Sequence, residues 1–262
     1  MEGLAPYAEP GYPRMAMGKS RGSRPASHEP WNKEERAILR SLDTPFRIQT
    51  FLESLPYSVD KGYRCPRSVL RDRKAQCFDG AVFAAAALHE LDLRALLVDL
   101  RAVRDDDHVL AIFKRGAHFG AVAKSNVVGL RWREPVYRTL RELILSYFEL
   151  YFNVEGERTL RSYSMPLDLE KLDGVDWRIS DSGMEVIAQR LDSARHFALM
   201  TRAMVRSLSP IDSRTFKAGL MGARDAGLYK PKSRSLNKTG SRRGPGGMHG
   251  AKASEGRCGA IG

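Results

Sequence analysis

Residues 81–91 read AVFAAAALHEL and are apolar on nearly every side. A helix with this pattern is typical of the middle of a domain, because a surface helix keeps a polar face. The segment therefore predicts a central helix around which the other elements pack. The stretch QCFDG comes directly before it, so we expect Cys77 at the head of the buried helix.

The elements on either side of this helix differ in type. Capping residues and apolar stripes predict helices, whereas apolar runs bounded by charged or turn residues predict strands. Helices are expected after Asn32, after Thr44 and over residues 137–152. A short helix or turn is expected over residues 68–75, and one or two helices over residues 184–208. Strands are expected over residues 95–103, 108–113, 118–123 and 160–167, the middle two as a hairpin. This order predicts an α+β fold in which the Cys-headed helix packs on an antiparallel sheet.

Composition divides the 262 residues into three parts. Residues 1–30 hold five prolines and no apolar run, which predicts a disordered arm. Residues 222–262 are rich in Gly, Ser, Lys and Arg and cannot bury enough apolar surface to offset the entropy of ordering, which predicts a disordered basic tail. The predicted domain, with its C-terminal helices, is residues 31–215.

More than half of the formal net charge of +12 lies in that tail. Residues 224–262 contain nine Lys and Arg and two acidic residues, which gives a net charge of +7. Two interpretations stay open. The tail binds nucleic acid weakly and without sequence preference through phosphates, or it is a solubilising extension without a partner.

Membrane insertion, secretion and common cofactors are not expected. No stretch approaches the roughly 20 apolar residues that span a bilayer, and the N-terminus lacks the apolar run of a signal peptide. The three cysteines, Cys65, Cys77 and Cys258, form no even disulfide set and no zinc-site spacing, which favours a reduced, cytoplasmic location. Nucleotide-binding glycine motifs are absent, so we expect neither a cofactor nor a metal.

Cys77 is the residue most suited to chemistry. A thiol at a helix N-terminus is close to the positive end of the macrodipole, which is expected to lower its pKa toward the reactive thiolate. His108 begins a strand 31 residues later and is the expected base. The hairpin brings residues 123–126 beside His108, so either Asn126 or Ser125 is expected to orient the imidazole.

The stretch VLRDRKAQCFDGA, residues 69–81, resembles the nucleophile segment of transglutaminase-like proteins, and the following histidine at a strand start is similar as well. The resemblance covers roughly residues 44–126. It implies a papain-like α+β fold with a Cys-His-Asp triad. Members of this superfamily include transglutaminases, cysteine proteases, deamidases and inactive relatives. By position, Cys77 would be the nucleophile, His108 the base, and the end of the second hairpin strand the orienting residue.

The expected function is thiol-dependent acyl transfer or hydrolysis of a protein or peptide amide, of the transglutaminase, deamidase or cysteine protease type. The acyl-enzyme gives cross-linking when an amine resolves it, and deamidation or proteolysis when water does. Backbone N–H groups at the helix start are the expected oxyanion donors, with help from the side chain of Gln76 or Gln49.

The sequence also departs from the family pattern at three positions. Ala75 replaces the usual glycine, Leu110 replaces an aromatic residue, and the hairpin ends in Lys-Ser-Asn where the family has Asp. These departures motivate a second hypothesis from another class. In it, the domain is a catalytically inactive relative that acts as a binding module, with the basic tail attaching it to a polyanion.

Overall fold

The computed structural model describes residues 30–172 and 174–230. The helices there are α1 (Lys33–Ser41), α2 (Pro45–Ser54), α3 (Pro66–Asp72), α4 (Cys77–Glu90), α5 (Leu140–Phe148), α6 (Ser182–Ser193), α7 (Arg202–Arg206) and α8 (Ser213–Gly219). The strands are β1 (Leu96–Ala102), β2 (His108–Arg115), β3 (His118–Val122), β4 (Arg133–Tyr137), β5 (Leu160–Ser164), β6 (Leu167–Asp168) and β7 (His196–Ala198). The fold is α+β, as predicted.

The apolar helix α4 lies inside the domain. Residues 78–88 are all buried, and six of those eleven positions are Ala or Gly. Small side chains let neighbouring elements approach closely, and α4 packs against β2 on one side and against α2 and α3 on others. The prediction of a central helix headed by Cys77 is therefore confirmed.

The strands form an antiparallel sheet in the order β4-β3-β2-β1-β5-β7, with β6 pairing beside β5 on β1. The predicted hairpin is β2 and β3, in which Arg115 pairs with His118 and Gly116 takes a φ of +59° at the turn. Glycine suits this turn because it adopts positive φ without steric cost. At the other end of β2, His108 pairs with Leu100 of β1.

Both faces of the sheet are covered. In β2, Val109, Ala111 and Phe113 pack with α4 in one core, whereas Leu110 and Ile112 face a second core that contains residues of α5. This alternation follows from the period of two residues in a strand. Because both faces are buried, β2 reads in sequence as one apolar run.

Two predicted helices differ from the observed elements. The helix predicted over 137–152 begins only at residue 140, because the Thr139 hydroxyl accepts from the Glu142 N–H as an N-cap and the preceding residues form β4. The segment 184–208 contains the strand β7 between two helices. Ala194 leaves the helical conformation there, and the next residues pair with the edge of β5.

The described chain extends to residue 230, eight residues past the predicted start of the tail. Residues Asp225–Gly227 form a 3-10 turn there. The rest of the predicted tail, and the predicted arm apart from residue 30, lie outside the described residues. Within the described ranges no helix has the length and apolar character needed to cross a membrane.

Candidate functional site

A small cleft that is open to solvent lies at the N-terminal end of α4. Six chain segments form its walls: Tyr57 after α2, the head of α4, the loop before β2, the chain after β3, the chain after α5, and the last described residues of the chain. The cleft contains all four predicted site residues, Cys77, His108, Ser125 and Asn126. The fold therefore brings together residues that lie up to 49 positions apart.

Cys77 is the first residue of α4, and a capping box fixes its position. Asp79 is fully buried and accepts from the backbone N–H groups of Gln76 at 3.2 Å and Arg64 at 2.9 Å. Burial raises the pKa of Asp79 to about 6, while these two donors oppose the rise. Asp79 is thus a structural carboxylate that holds the helix start beneath the thiol.

The surroundings of Cys77 favour the neutral thiol. Its Sγ lies 4.0 Å from the carbonyl oxygen of Asp107. Burial, followed by the charge of Asp79, raises the pKa of Cys77 to about 11, although hydrogen bonds from the Phe78 N–H and the Tyr57 hydroxyl act in the opposite direction. The prediction of a lowered pKa is therefore wrong for this conformation. Desolvation outweighs the helix macrodipole here.

His108 is buried at the start of β2, with 4% of its surface exposed. Its Nε2 lies 2.8 Å from the carbonyl oxygen of Leu130. A carbonyl oxygen can only accept, so Nε2 carries the proton and Nδ1 keeps its lone pair. Burial lowers the pKa of His108 to about 4, and nearby Arg133 acts in the same direction. The imidazole is therefore neutral at pH 7.

The thiol and the imidazole both line the cleft, but His108 has the same parity along β2 as Leu110, which faces the α5 side of the sheet, and its ring contacts Tyr151 there. Asp107, whose carbonyl contacts Cys77, directly precedes His108 in the chain. Within the described part of the chain, however, no hydrogen bond joins the two side chains, since His108 bonds to Leu130 and Cys77 contacts Asp107. The arrangement brings the pair into one site without an ion pair between them.

Neither predicted orienting residue hydrogen-bonds to the imidazole. The Ser125 hydroxyl accepts from the Val127 N–H at 3.0 Å. The Asn126 side chain accepts from the Arg224 N–H at 2.8 Å and donates to the Arg224 carbonyl at 2.9 Å. The backbone carbonyl of Leu130 occupies the acceptor position on His108 instead.

The segment of residues 123–130 holds several elements around the cleft. Its Ala123 backbone exchanges two hydrogen bonds of 3.0 Å with the Gln49 side chain. Lys124 is buried, and its Nζ donates to the carbonyls of Leu52 and Leu55 at the C-terminal end of α2. Burial lowers the pKa of Lys124 to about 8. These contacts, with those of Ser125 and Asn126, anchor the first four residues of the 123–130 segment.

The two glutamines expected to help an oxyanion are occupied elsewhere. Both polar atoms of the Gln49 side chain bond to the backbone of Ala123, and Gln76 takes part in the capping box of α4. Neither lines the cleft. Their hydrogen bonds stabilise the Ala123 backbone and the start of α4.

Tyr57 is a site residue that the sequence reasoning missed. A parallel bridge pairs Tyr57 with Ala75, and the Ser58 N–H donates to the Ala75 carbonyl at 2.9 Å. This bridge brings the tyrosine beside the head of α4, where it lines the cleft with Cys77 and its hydroxyl is near enough to the thiol to lower the pKa of Cys77. Burial raises the pKa of Tyr57, which therefore stays protonated and able to donate.

The cleft is acidic although the chain is basic. Asp105, Asp106 and Asp107 line it, and none of its lining residues is Lys or Arg. Burial raises the pKa of Asp105 to about 6, opposed by a hydrogen bond from the Thr159 hydroxyl at 2.7 Å. Of these three residues, Asp106 helps to raise the pKa of Cys77 and so disfavours a thiolate there.

Comparison with protein families and with curated proteins found no relative. The sequence matches no protein-family model, and none of the curated proteins matches it significantly. The site must therefore be interpreted from its own residues.

Proposed function

We propose that the protein catalyses thiol-dependent acyl transfer or amide hydrolysis on a protein or peptide amide, with Cys77 as nucleophile and His108 as base. The observation that carries the proposal is one cleft that holds a thiol, an imidazole with its lone pair on Nδ1, and a tyrosine hydroxyl. This combination supplies a nucleophile, a proton acceptor and an oxyanion donor. A papain-like, transglutaminase-like core is part of the proposal, as is a reduced, cytoplasmic location.

In the proposed reaction, Nδ1 of His108 takes the proton of the Cys77 thiol as the sulfur attacks the amide carbon. A C–S bond forms, and the tetrahedral intermediate collapses when the C–N bond breaks. His108 returns the proton to the departing amine, which leaves a thioester on Cys77. Water then gives hydrolysis and a primary amine gives transfer. In either case the attacking group loses a proton, and the sulfur is released as the thiol.

The positioning groups in this proposal differ from the expected ones. The Leu130 carbonyl takes the orienting role in place of Asn126 or Ser125, since it accepts from Nε2 of His108. It carries no formal charge and stabilises an imidazolium less than a carboxylate would. The Tyr57 hydroxyl and the Cys77 backbone N–H take the role of oxyanion donors, replacing the two glutamines.

The alternative is a binding module without catalysis. Burial raises the pKa of Cys77 and lowers that of His108, and both directions oppose a thiolate–imidazolium pair. In this alternative the cleft holds its ligand without forming a covalent bond. The two hypotheses make different predictions for a reagent that acylates thiols.

The test uses p-nitrophenyl acetate, a small activated ester, on the full chain. Transfer of its acyl group to Cys77 should release one burst of p-nitrophenolate per molecule. Cys77→Ala should abolish the burst, and His108→Ala should slow it by roughly 100-fold to 10,000-fold, as expected for loss of a general base. Cys65→Ala is the matched control, since Cys65 is buried outside the cleft.

A burst that persists in Cys77→Ala would contradict the proposal, and the binding-module hypothesis would then remain. So would an equal rate in a His108→Ala protein whose melting temperature matches that of the wild type. Ammonia release from a glutamine-containing peptide, compared with incorporation of a fluorescent amine, then separates hydrolysis from transfer.

A further inference from the structure

The last described residues of the chain form part of the wall around Cys77. Residues 222–229, here called the C-terminal strap, follow α8, and Gly227, Leu228 and Tyr229 line the same cleft as Cys77 and His108. Gly227, Leu228 and Tyr229 are partly buried, whereas residues 224–226 are exposed. The cleft is thus closed on one side by a segment with little burial of its own.

Polar contacts attach the strap to the cleft wall at one residue. Asn126 bonds to both the N–H and the carbonyl of Arg224, at 2.8 and 2.9 Å. In addition, the Arg224 guanidinium donates to the Tyr57 carbonyl at 2.7 Å. Asn126 holds the strap through its backbone, so the contact depends on the path of the chain more than on the side chain at 224.

The strap also packs closely at Gly227. A Cβ atom at this position would lie 3.0 Å from two ring carbons of Tyr57 and 3.1 Å from Nδ2 of Asn126. Those distances are shorter than ordinary contacts between carbon atoms. A side chain here would require Tyr57 or the strap to shift, so glycine lets the strap lie directly against Tyr57.

We propose that the C-terminal strap covers the cleft and controls access to Cys77, so that it must move away before a large substrate reaches the thiol. The claim that this opening regulates a reaction rests on the proposed function. The claim that the strap controls access to Cys77 does not. Few contacts hold the strap, and segments of this kind open with free energies well below that of global unfolding. Cys77 itself is partly buried, so the strap covers the thiol incompletely.

The experiment measures how strongly the folded full-length protein protects Cys77 from two reagents of different size. Iodoacetamide is small, and a maleimide with a long polyethylene glycol chain is bulky. Labelling rates are measured by mass spectrometry on the Cys77 peptide. The protection factor for each reagent is the rate in urea divided by the rate in the folded protein. The ratio of the two protection factors then reports access, because a change in thiolate fraction affects both reagents alike.

The variants weaken the strap at its two attachment points. Gly227→Val places a branched side chain against Tyr57, and Asn126→Asp replaces the donor to the Arg224 carbonyl with a repelling oxygen. Loss of one or two hydrogen bonds should raise the open population, and with it the labelling by the bulky reagent, by about tenfold. Gly174→Val is the matched control, since a Cβ atom there meets nothing within 4 Å.

The wild type should protect Cys77 more from the bulky reagent than from the small one, and both variants should reduce that excess. Equal protection from both reagents in the wild type would overturn the proposal. An unchanged excess in Asn126→Asp at an unaltered melting temperature would also overturn it, even if Gly227→Val fails to fold. If the ester burst is absent while the protection factors change as expected, the result supports control of access by the strap and contradicts the proposed reaction.

Discussion

Acidification is expected to destabilise the protein through His108. At pH 7 the imidazole is neutral in both the folded and the unfolded chain. Below an ordinary pKa of about 6.5 the unfolded chain takes up a proton, whereas the buried ring, with a pKa of about 4, does not. The stability that depends on the neutral ring is present above the unfolded pKa and is lost as the pH falls toward the folded one. The loss amounts to roughly 3 kcal/mol.

Buried carboxyl groups change stability in the opposite direction. Burial raises the pKa values of Asp79 and Asp105 to about 6, so the folded state takes up their protons first and is stabilised as the pH falls. The effect of His108 must therefore be isolated as a difference. The free energy of unfolding in urea, followed by tryptophan fluorescence, is measured for wild type and His108→Gln at several pH values between 7 and 4.

The difference in the free energy of unfolding between wild type and His108→Gln should fall by roughly 3 kcal/mol as the pH falls across this range. His118→Gln is the control, since His118 lies on the neighbouring strand and does not line the cleft. A wild-type advantage over His108→Gln that stays constant with pH would refute the argument. The ring would then titrate normally, and burial at the start of β2 would not keep it neutral.

Two further predictions concern the packing beneath the cleft. Lys124→Met should cost about 1–3 kcal/mol in urea unfolding because the α2 carbonyls of Leu52 and Leu55 lose a donor, and an unchanged midpoint would contradict this assignment. Gly80→Ala should cost about 1–3 kcal/mol despite alanine's better helix propensity, since its Cβ would lie 2.4 Å from that of Lys124. Gly174→Ala, in open space, is the control, and equal melting temperatures would count against the second prediction.

The sequence predicted the elements whose residues face one kind of environment. Residues 78–88 are buried on every side, and β2 is covered on both faces, so their composition alone indicated their places. The strand β4 was missed because it pairs only with β3 at the end of the sheet. It carries Arg133 and Glu134, and charged residues are common on edge strands, where they resemble a loop in sequence.

The candidate site was predictable only where side-chain type carries the information. A cysteine before an apolar helix and a histidine at a strand start can be recognised, and both line the cleft. The partner of His108 is a backbone carbonyl, which every residue possesses, so no pattern distinguishes Leu130. Tyr57 lies 20 residues before Cys77 and reaches it through a backbone bridge to Ala75, for which the sequence has no signal.

The 123–130 segment connects parts of the protein that serve different purposes. It holds the end of α2 through Lys124, the C-terminal strap through Asn126 and the His108 ring through Leu130. Because these contacts follow one another along eight residues, inserting or deleting a single residue between Lys124 and Leu130 would change the spacing between at least two of them. Point substitutions affect them one by one. We therefore expect that, among sequences that diverge from this one, the segment keeps its length while its side chains change independently.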